Sequence, residues 1–211
     1  MSYIKLPKSI IPCIKENKYS AMVYGYVSAR RGYDGICYFS INLLSHTLKH
    51  NVVRDKTKGI CFNFYTALKY LEAQKLLLNM TDTYFTKLYE KDKEEYDFNK
   101  IIMYGCKGEQ DKENENKKIN KKGFILIDYD NFINLCLSYQ PDILNLYLYI
   151  ISHINRTLPN SCCFTSIKTM EEDLGISRNS ILKDIKILEE EKYIKIENDK
   201  ETGSNKYYLI E

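Results

Sequence analysis

The sequence predicts an α+β protein that is mainly α and consists of two similar halves. Two observations support this prediction. Four segments of the first half recur in the same order in the second half. Each half also ends with a stretch of helical periodicity followed by residues that alternate in polarity like a strand. A chain of 211 residues is long enough for two domains of about 100 residues each.

The repeat consists of four pairs of matching segments. SYIKLPKSIIPCI matches GFILIDYDNFINL, VYGYV matches LYLYI, CYFSINLL matches CFTSIKTM, and LKYLEAQKLL matches IKILEEEKYI. We therefore predict a first domain at 1–104 and a second at 123–211. Residues 105–122 between them have almost no apolar side chains and many Lys, Glu and Asn, so they are predicted to form a charged, flexible linker.

The elements of the first half follow from its apolar spacing. YIKLP reads as an extended segment entering a helix, and KYSAMVYGYVSARR continues as a helix. ICYFSINLLSHTLKHN predicts a strand and a second helix, and FNFYTALKYLEAQKLLL predicts a third helix running into a strand. Relative to the second half, this half has extra residues at 51–59 and a long insertion, TDTYFTKLYEKDKEEYDFNK, in the place of a short strand connection.

The second half contains the most informative stretch. Its apolar stripe of Leu174, Ile176, Ile181, Ile185 and Leu188 becomes continuous if the chain turns sharply at Gly175, which tolerates positive φ. We predict helices at Ile167–Leu174 and Arg178–Glu190, with Ser177 as the N-cap of the second. YIKIEN and SNKYYLI then alternate as two strands around a turn that contains Gly203.

A helix-turn-helix followed by a β-hairpin is a winged helix. The segment CFTSIKTMEEDLGISRNSILKDIKILEEEKYIKI, preceded by LYLYIISHIN, resembles the winged-helix domains of bacterial plasmid replication initiators and phage replisome organisers. The resemblance covers about 142–209. With the repeat, it implies two tandem winged helix-turn-helix domains, each with three helices and a β-hairpin wing. In such initiators one winged helix tends to serve dimerisation and the other origin binding, and host replication proteins are recruited.

The second half carries the predicted DNA-reading helix. A recognition helix buries one face and presents the other to the major groove. Opposite the buried stripe lie polar side chains that suit base edges or phosphates. The candidate DNA-binding residues of this half are Lys168, Ser177, Arg178, Asn179, Lys183, Lys186, Lys200 and Lys206. Leu182 lies on the same face, where a contact with a thymine methyl group and packing on another chain are both open interpretations.

The corresponding helix of the first half presents an aromatic face instead. Its outward positions are Phe62, Tyr65, Thr66 and Lys69, which favour a protein interface, either with a second copy of the chain or with the second half. Residues 1–104 nevertheless carry 16 Lys and Arg against 10 Asp and Glu, whereas residues 123–211 carry 9 against 14. A second, less specific phosphate contact is therefore predicted at Arg54, Lys56 and Lys58.

The sequence does not indicate an enzyme. It has three histidines with no HxH cluster, and it lacks a GxxxxGK[ST] phosphate loop, so no metal, cofactor or catalytic residue is predicted. His46 and His50 have metal-ligand spacing, but they are interpreted as solvated. The seven cysteines are expected to be reduced. Without a membrane span or a secretory signal, the chain is predicted to be cytoplasmic.

Three functions remain open at this point. The first is sequence-specific binding of double-stranded DNA by a replication initiation protein of a plasmid or phage. The second is transcriptional regulation on the same scaffold. The third is a protein–protein adaptor that has lost DNA binding, which the aromatic face of the first half and the net negative charge of the second half favour. Direct repeats beside an AT-rich tract would indicate replication, and an inverted repeat at a promoter would indicate regulation.

Overall fold

A computed structural model describes residues 2–48, 57–81, 89–90, 95–96, 98–99, 101–106, 123–156, 158, 160–198 and 205–210. The first half contains, in chain order, β1 (Tyr3–Pro7), α1 (Ile10–Glu16), α2 (Ser20–Ala29), β2 (Ile36–Phe39), α3 (Ile41–Leu48), α4 (Thr57–Ala73), β3 (Leu77–Asn79), β4 (Tyr89–Glu90), β5 (Glu95–Tyr96) and β6 (Ile102–Cys106). The second half contains β7 (Phe124–Asp128), α5 (Tyr129–Ser138), α6 (Pro141–Ser152), α7 (Ile167–Leu174), α8 (Arg178–Glu190), β8 (Ile194–Asn198) and β9 (Asn205–Leu209).

The two halves share an order of elements. Each begins with a strand and two helices, continues with two more helices, and ends in antiparallel strands. In the first half β6 pairs with both β2 and β3. In the second half β9 pairs with β8, and Cys163 forms an isolated bridge to Tyr207 of β9, in the place that β2 occupies in the first half. The mixed α+β, mainly helical class is as predicted.

The number of helices differs from the prediction. Within the described residues each half has four helices rather than three, because the helix that follows the first strand ends before the next one begins. In the first half the break lies at Asn17, whose extended backbone ends α1 and whose Oδ1 accepts a hydrogen bond from the Tyr19 N–H at 3.0 Å. In the second half Tyr139 and Gln140 are extended before Pro141, a residue that disfavours a helical conformation in its predecessor.

One predicted boundary also differs. Strand β6 includes Gly105 and Cys106, which pair with Ile36 and Leu77 respectively. The predicted linker of 105–122 therefore begins too early, because its first two residues belong to a strand of the first half. Gly203, the predicted turn residue of the second wing, lies outside the described residues.

The first strands of the two halves pair with each other. β1 and β7 run antiparallel, with Ile4 opposite Ile127 and Leu6 opposite Ile125, and these four side chains are buried. Lys5 lies opposite Leu126, which is the residue that the repeat aligns with Lys5. The two equivalent strands therefore pair symmetrically around Lys5 and Leu126. This is the arrangement of an isologous interface, in which two equivalent units are related by a two-fold axis.

The helices that follow these strands cross between the halves. Helix α1 packs on α6 and α7 of the second half, and α5 packs on α2 and α3 of the first. The buried apolar residues of both halves form one continuous cluster. At Gly25 in α2 an added Cβ would lie 2.4 Å from the ring of Phe132 in α5, so the two helices meet there without room for a side chain.

The described part of the chain contains no helix that is both long enough and apolar enough to cross a bilayer. It also contains no group of three or more His, Cys, Asp or Glu side chains placed to hold a metal ion. His46 is exposed on α3, and His50 lies outside the described residues. All seven cysteines are free thiols, and six of them are buried.

Candidate nucleic-acid interface

A glycine in the left-handed backbone conformation separates the two helices of the predicted helix-turn-helix. Gly175 has φ 68° and ψ 21°, and its N–H donates to the carbonyl oxygen of Glu171 at 2.9 Å, which ends α7. Only glycine adopts this conformation without a Cβ penalty. The turn and the bounds of both helices, Ile167–Leu174 and Arg178–Glu190, are confirmed.

The N-terminus of α8 is capped twice. The Ser177 hydroxyl accepts from the Ser180 N–H at 3.3 Å, as predicted for an N-cap. A second cap was not predicted from the sequence: the Glu171 carboxylate accepts from the Arg178 N–H at 3.2 Å. A carboxylate at a helix N-terminus is favourable because the orphan N–H groups there carry partial positive charge. Together the caps tie the end of α7 to the start of α8.

The helix-turn-helix is further fixed to α6 by a polar contact. The Tyr149 hydroxyl donates to the Asp173 carboxylate at 2.6 Å. Burial of the tyrosine and this carboxylate neighbour both raise the pKa of the Tyr149 hydroxyl, so the proton stays on the phenol. The bond anchors the C-terminal turn of α7 to α6.

Helix α8 has one buried and one exposed face. Ile181, Ile185 and Leu188 are at most 5% exposed, and they pack with Leu174 and Ile176 in the core. The side chains predicted to face outward are all exposed: Arg178, Asn179, Leu182, Lys183 and Lys186. Three of these five carry positive charge, whereas the exposed Glu189 and Glu190 lie at the end of the helix, so the basic part of the exposed face runs from Arg178 to Lys186.

Two of the predicted phosphate ligands have acidic neighbours on their own helices. Lys186 lies 3.7 Å from Glu190, and Lys168 of α7 lies 3.9 Å from Glu172. Both pairs are well exposed, and such pairs contribute between about 0 and 1 kcal/mol. These contacts are weak enough to exchange for a phosphate group.

The wing formed by β8 and β9 lies next in the chain. Lys206 is partly buried, and its Nζ lies 5.7 Å from the centre of the Phe164 ring, which is 62% exposed. Lys195 is exposed but pairs with Glu197 at 2.7 Å. Lys200, predicted at the tip of the wing, lies outside the described residues.

A buried carboxyl on α8 was not predicted from the sequence. Asp184 is only 8% exposed, and burial, together with the nearby Asp142 carboxylate, raises its pKa to about 6 in spite of the opposing effect of Lys183. Its position three residues after Ile181 and four before Leu188 places it at the edge of the buried stripe. That spacing is the available signal, but a charged residue is ordinarily expected to face water.

The predicted interface on α4 is partly covered within the chain. Phe62 is 47% exposed, whereas Tyr65 is half-buried, with its ring 6.5 Å from the ring of Phe98. The Thr66 hydroxyl is bonded to Asn63 and Asn17, and Lys69 forms an ion pair with Glu72 at 3.1 Å. The opposite face of the helix buries Phe64, Leu68 and Leu71.

The second predicted phosphate contact falls at the edge of the described structure. Arg54 and Lys56 lie outside it, and Lys58 belongs to α4, although its side chain is not among those described. The predicted contact at these three residues therefore stays a prediction.

Comparison with known proteins agrees with the geometry of the second half. Residues 142–194, which span α6 to the start of β8, match the family model of a helix-turn-helix domain. No similar chain was found among curated proteins or solved structures. The match covers the two capped helices and the turn between them, and similarity to a helix-turn-helix domain suggests that this part of the chain binds DNA.

Proposed function

We propose that this chain is a non-enzymatic protein that binds double-stranded DNA in a sequence-specific manner, with α8 as its recognition helix. The exposed face of α8 carries this proposal. Arg178, Asn179, Lys183 and Lys186 project from a helix whose opposite face is buried and whose N-terminus is capped. A rigid helix with one free polar face is what insertion into the major groove requires.

The side chains on this face divide by chemistry. Asn179 suits adenine, to which an amide can donate and from which it can accept a hydrogen bond. Arg178, Lys183 and Lys186 suit guanine or phosphate oxygens. Leu182 is 45% exposed on the same face and suits a thymine methyl group. A mixed set of this kind discriminates between sequences, whereas a purely cationic face would read only the backbone.

Residues beside α8 are proposed to orient the protein on the duplex. Lys168 lies on α7, and Lys206 lies on the wing. The Lys168 side chain is well exposed beside Glu172, so phosphate can compete for its ammonium group. Lys206 is partly buried and lies over the exposed Phe164 ring. Lys200 and the basic residues Arg54, Lys56 and Lys58 extend the proposed phosphate contact.

We further propose that the two halves are tandem winged helices and that the protein acts in replication initiation in the cytoplasm of a host cell. The shared order of elements and the pairing of β1 with β7 support the tandem arrangement. The first half would mediate homodimerisation through α4, where Phe62 remains exposed, and host replication proteins would bind the DNA-bound dimer. A transcriptional regulator on this scaffold is the alternative for the same DNA-binding site.

A protein–protein adaptor is the second candidate. Residues 123–211 carry five more acidic than basic side chains, which opposes DNA over distances longer than the screening length. At cellular salt this length is about 8 Å, so acids farther away are screened, and the nearby Glu190 and Glu172 form only weak, exposed pairs with Lys186 and Lys168. DNA affinity that falls with salt separates the two candidates.

The test is binding of the whole chain to random duplex DNA and to sequences selected from a random pool, at two salt concentrations. Lys183→Ala/Lys186→Ala is expected to abolish sequence selection. The double variant should also lower the slope of log affinity against log salt by about 0.9 for each phosphate group that the lysines no longer neutralise. Lys8→Ala/Lys75→Ala removes the same charge from the first half and serves as the matched control.

Each outcome has a consequence for the proposal. Equal reductions of affinity in the two double variants would show that net charge rather than α8 controls binding. Absence of binding to any duplex at low salt would support the adaptor. If the wild type binds as proposed, direct repeats in the selected sequences support replication initiation, and inverted repeats support regulation.

A further inference from the structure

A lysine of the first half caps the helix-turn-helix of the second half. Lys15 Nζ in α1 donates to the carbonyl oxygen of Glu172 in α7 at 2.8 Å. Glu172 belongs to the last turn of α7, where carbonyl groups have no partner within the helix. A cation at this end is also favoured by the partial negative charge of the helix C-terminus.

The same lysine lies against the turn. A Cβ built on Gly175 would lie 3.4 Å from Cγ of Lys15, so the aliphatic part of the lysine lies beside the turn. Lys15 therefore bonds to the end of α7 and lies next to the residue that sets the direction of α8. Removal of its ammonium group would leave the Glu172 carbonyl to water and loosen the packing at the turn.

Helix α1, which carries Lys15, is anchored in the core. Its Cys13 and Ile14 side chains are buried in the common core. Lys18 lies just beyond the end of α1, and its carbonyl oxygen accepts a hydrogen bond from Nδ2 of the fully buried Asn145 of α6 at 3.0 Å. Lys15 is itself solvent-exposed, but it bridges an anchored helix and the helix-turn-helix and does not belong to the exposed face of α8.

The cross-half cap is not repeated in the other direction. Helix α5 packs on α3 as α1 packs on α7, but α5 has the sequence YDNFINLCLS and contains no lysine or arginine. Helix α5 therefore cannot supply such a cap to the first half, whereas α1 supplies one to the half that carries the basic recognition helix. This asymmetry matches the proposed division of labour between the halves.

We infer that Lys15 is a positioning residue for DNA recognition, through which the first half holds α7 and the turn in the orientation that places α8. The inference rests on the proposed DNA-binding function. Lys15 acts on the geometry of the reader and does not contact the DNA. Its substitution should therefore affect discrimination between sequences more than attraction to the backbone.

The test compares Lys15→Met with Lys18→Met in the whole chain. Methionine keeps the aliphatic stem and removes the donor, and Lys18 is a nearby lysine whose Nζ lies over the Tyr19 ring instead. We expect Lys15→Met to weaken binding to the selected sequence roughly threefold to tenfold, as removal of one charge-assisted hydrogen bond predicts. Binding to random DNA and the salt slope should remain those of Lys18→Met. Lys15→Arg, which can still donate, should restore selectivity.

Hydrogen exchange at Gly175 provides a readout that does not depend on DNA. Its N–H is bonded to the Glu171 carbonyl oxygen in the capped turn, so exchange should accelerate in Lys15→Met and not in Lys18→Met. A salt slope lowered by about 0.9 in Lys15→Met alone would identify a phosphate ligand and overturn the inference. Unchanged selectivity or unchanged Gly175 exchange would also overturn it. If the wild type binds no DNA while Gly175 exchange responds, the proposed function and the inferred role in recognition both fail, and a purely structural cap remains.

Discussion

Asp184 shows how one buried carboxyl on α8 affects stability. Its pKa is raised to about 6, mainly by burial, whereas an unfolded chain would release the proton near the ordinary value of 3.8. Between these two pH values the folded protein binds a proton that the unfolded chain has released. The free energy of unfolding therefore falls as pH rises from about 4 to about 6, and it stays lower above that range.

Substitution with an uncharged isostere should remove this pH dependence. Asp184→Asn is expected to raise the free energy of unfolding at pH 7.5 by about 1–2 kcal/mol relative to the wild type, and to leave it nearly unchanged at pH 4. Urea unfolding at the two pH values measures both. Glu189→Gln, at an exposed position of the same helix, is the control and should change stability by less than about 0.5 kcal/mol. Parallel pH profiles for wild type and Asp184→Asn would contradict the assignment.

At the scale of elements, the contact between α2 and α5 leaves no room for a side chain at Gly25. Gly25 is buried, and it admits the Phe132 ring because it has no side chain. The repeat aligns Gly25 with Leu148, so the corresponding helices of the two halves carry different residues at this position. The glycine is thus required by the large aromatic ring of the opposite half rather than by backbone conformation.

A methyl group at Gly25 should overpack this contact. Gly25→Ala gains helix propensity of about 0.5–1 kcal/mol, but the added Cβ would lie 2.4 Å from Phe132 and force the helices apart. We expect a net decrease of about 1–3 kcal/mol in the free energy of unfolding. Phe132→Leu alone should also destabilise the protein, yet it should reduce the cost of Gly25→Ala when the two are combined. Additive effects in thermal denaturation would show that the ring is not the obstacle.

The local elements of the second half were predictable because local chemistry determines them. Gly175, Ser177 and the apolar spacing from Leu174 to Leu188 define the two helices with no reference to the rest of the chain. The pairing of β1 with β7 could not be predicted in this way. The repeat shows that Lys5 and Leu126 are equivalent, but equivalence does not say whether the two strands meet each other or lie apart.

The candidate site was predicted only where it depends on a single helix. The exposed face of α8 follows from its periodicity, whereas the Lys15 cap joins residues that are far apart in the chain and depends on the packing of α1 against α7. The covering of Tyr65 by Phe98 is a similar case, because it depends on how the residues before β6 return to α4. Tertiary contacts of this kind leave no signal in local spacing.

At the scale of the whole molecule, the halves differ in charge but share a core. Residues 1–104 have six more basic than acidic side chains, and residues 123–211 have five more acidic than basic side chains. Opposite net charges favour association of the halves, although screening limits this effect to about 8 Å at cellular salt. The larger contribution comes from the buried apolar residues of β1, β7, α1 and α5, elements that contact the opposite half.

The shared core predicts that the chain unfolds as one unit. Ile4 and Leu6 cover Ile125 and Ile127, so separation of the halves would expose both strands and the crossing of Gly25 with Phe132. We expect amides of α2 and α6 to lose protection from hydrogen exchange at the same denaturant concentration. Leu6→Ala should lower that concentration equally for both helices, at a cost of about 2–5 kcal/mol, because a buried leucine is removed from the common core. Leu43→Ala, at a side chain that is 46% exposed, should change neither. Two separate transitions, with Leu6→Ala shifting only α2, would instead establish the halves as independent domains joined by a linker.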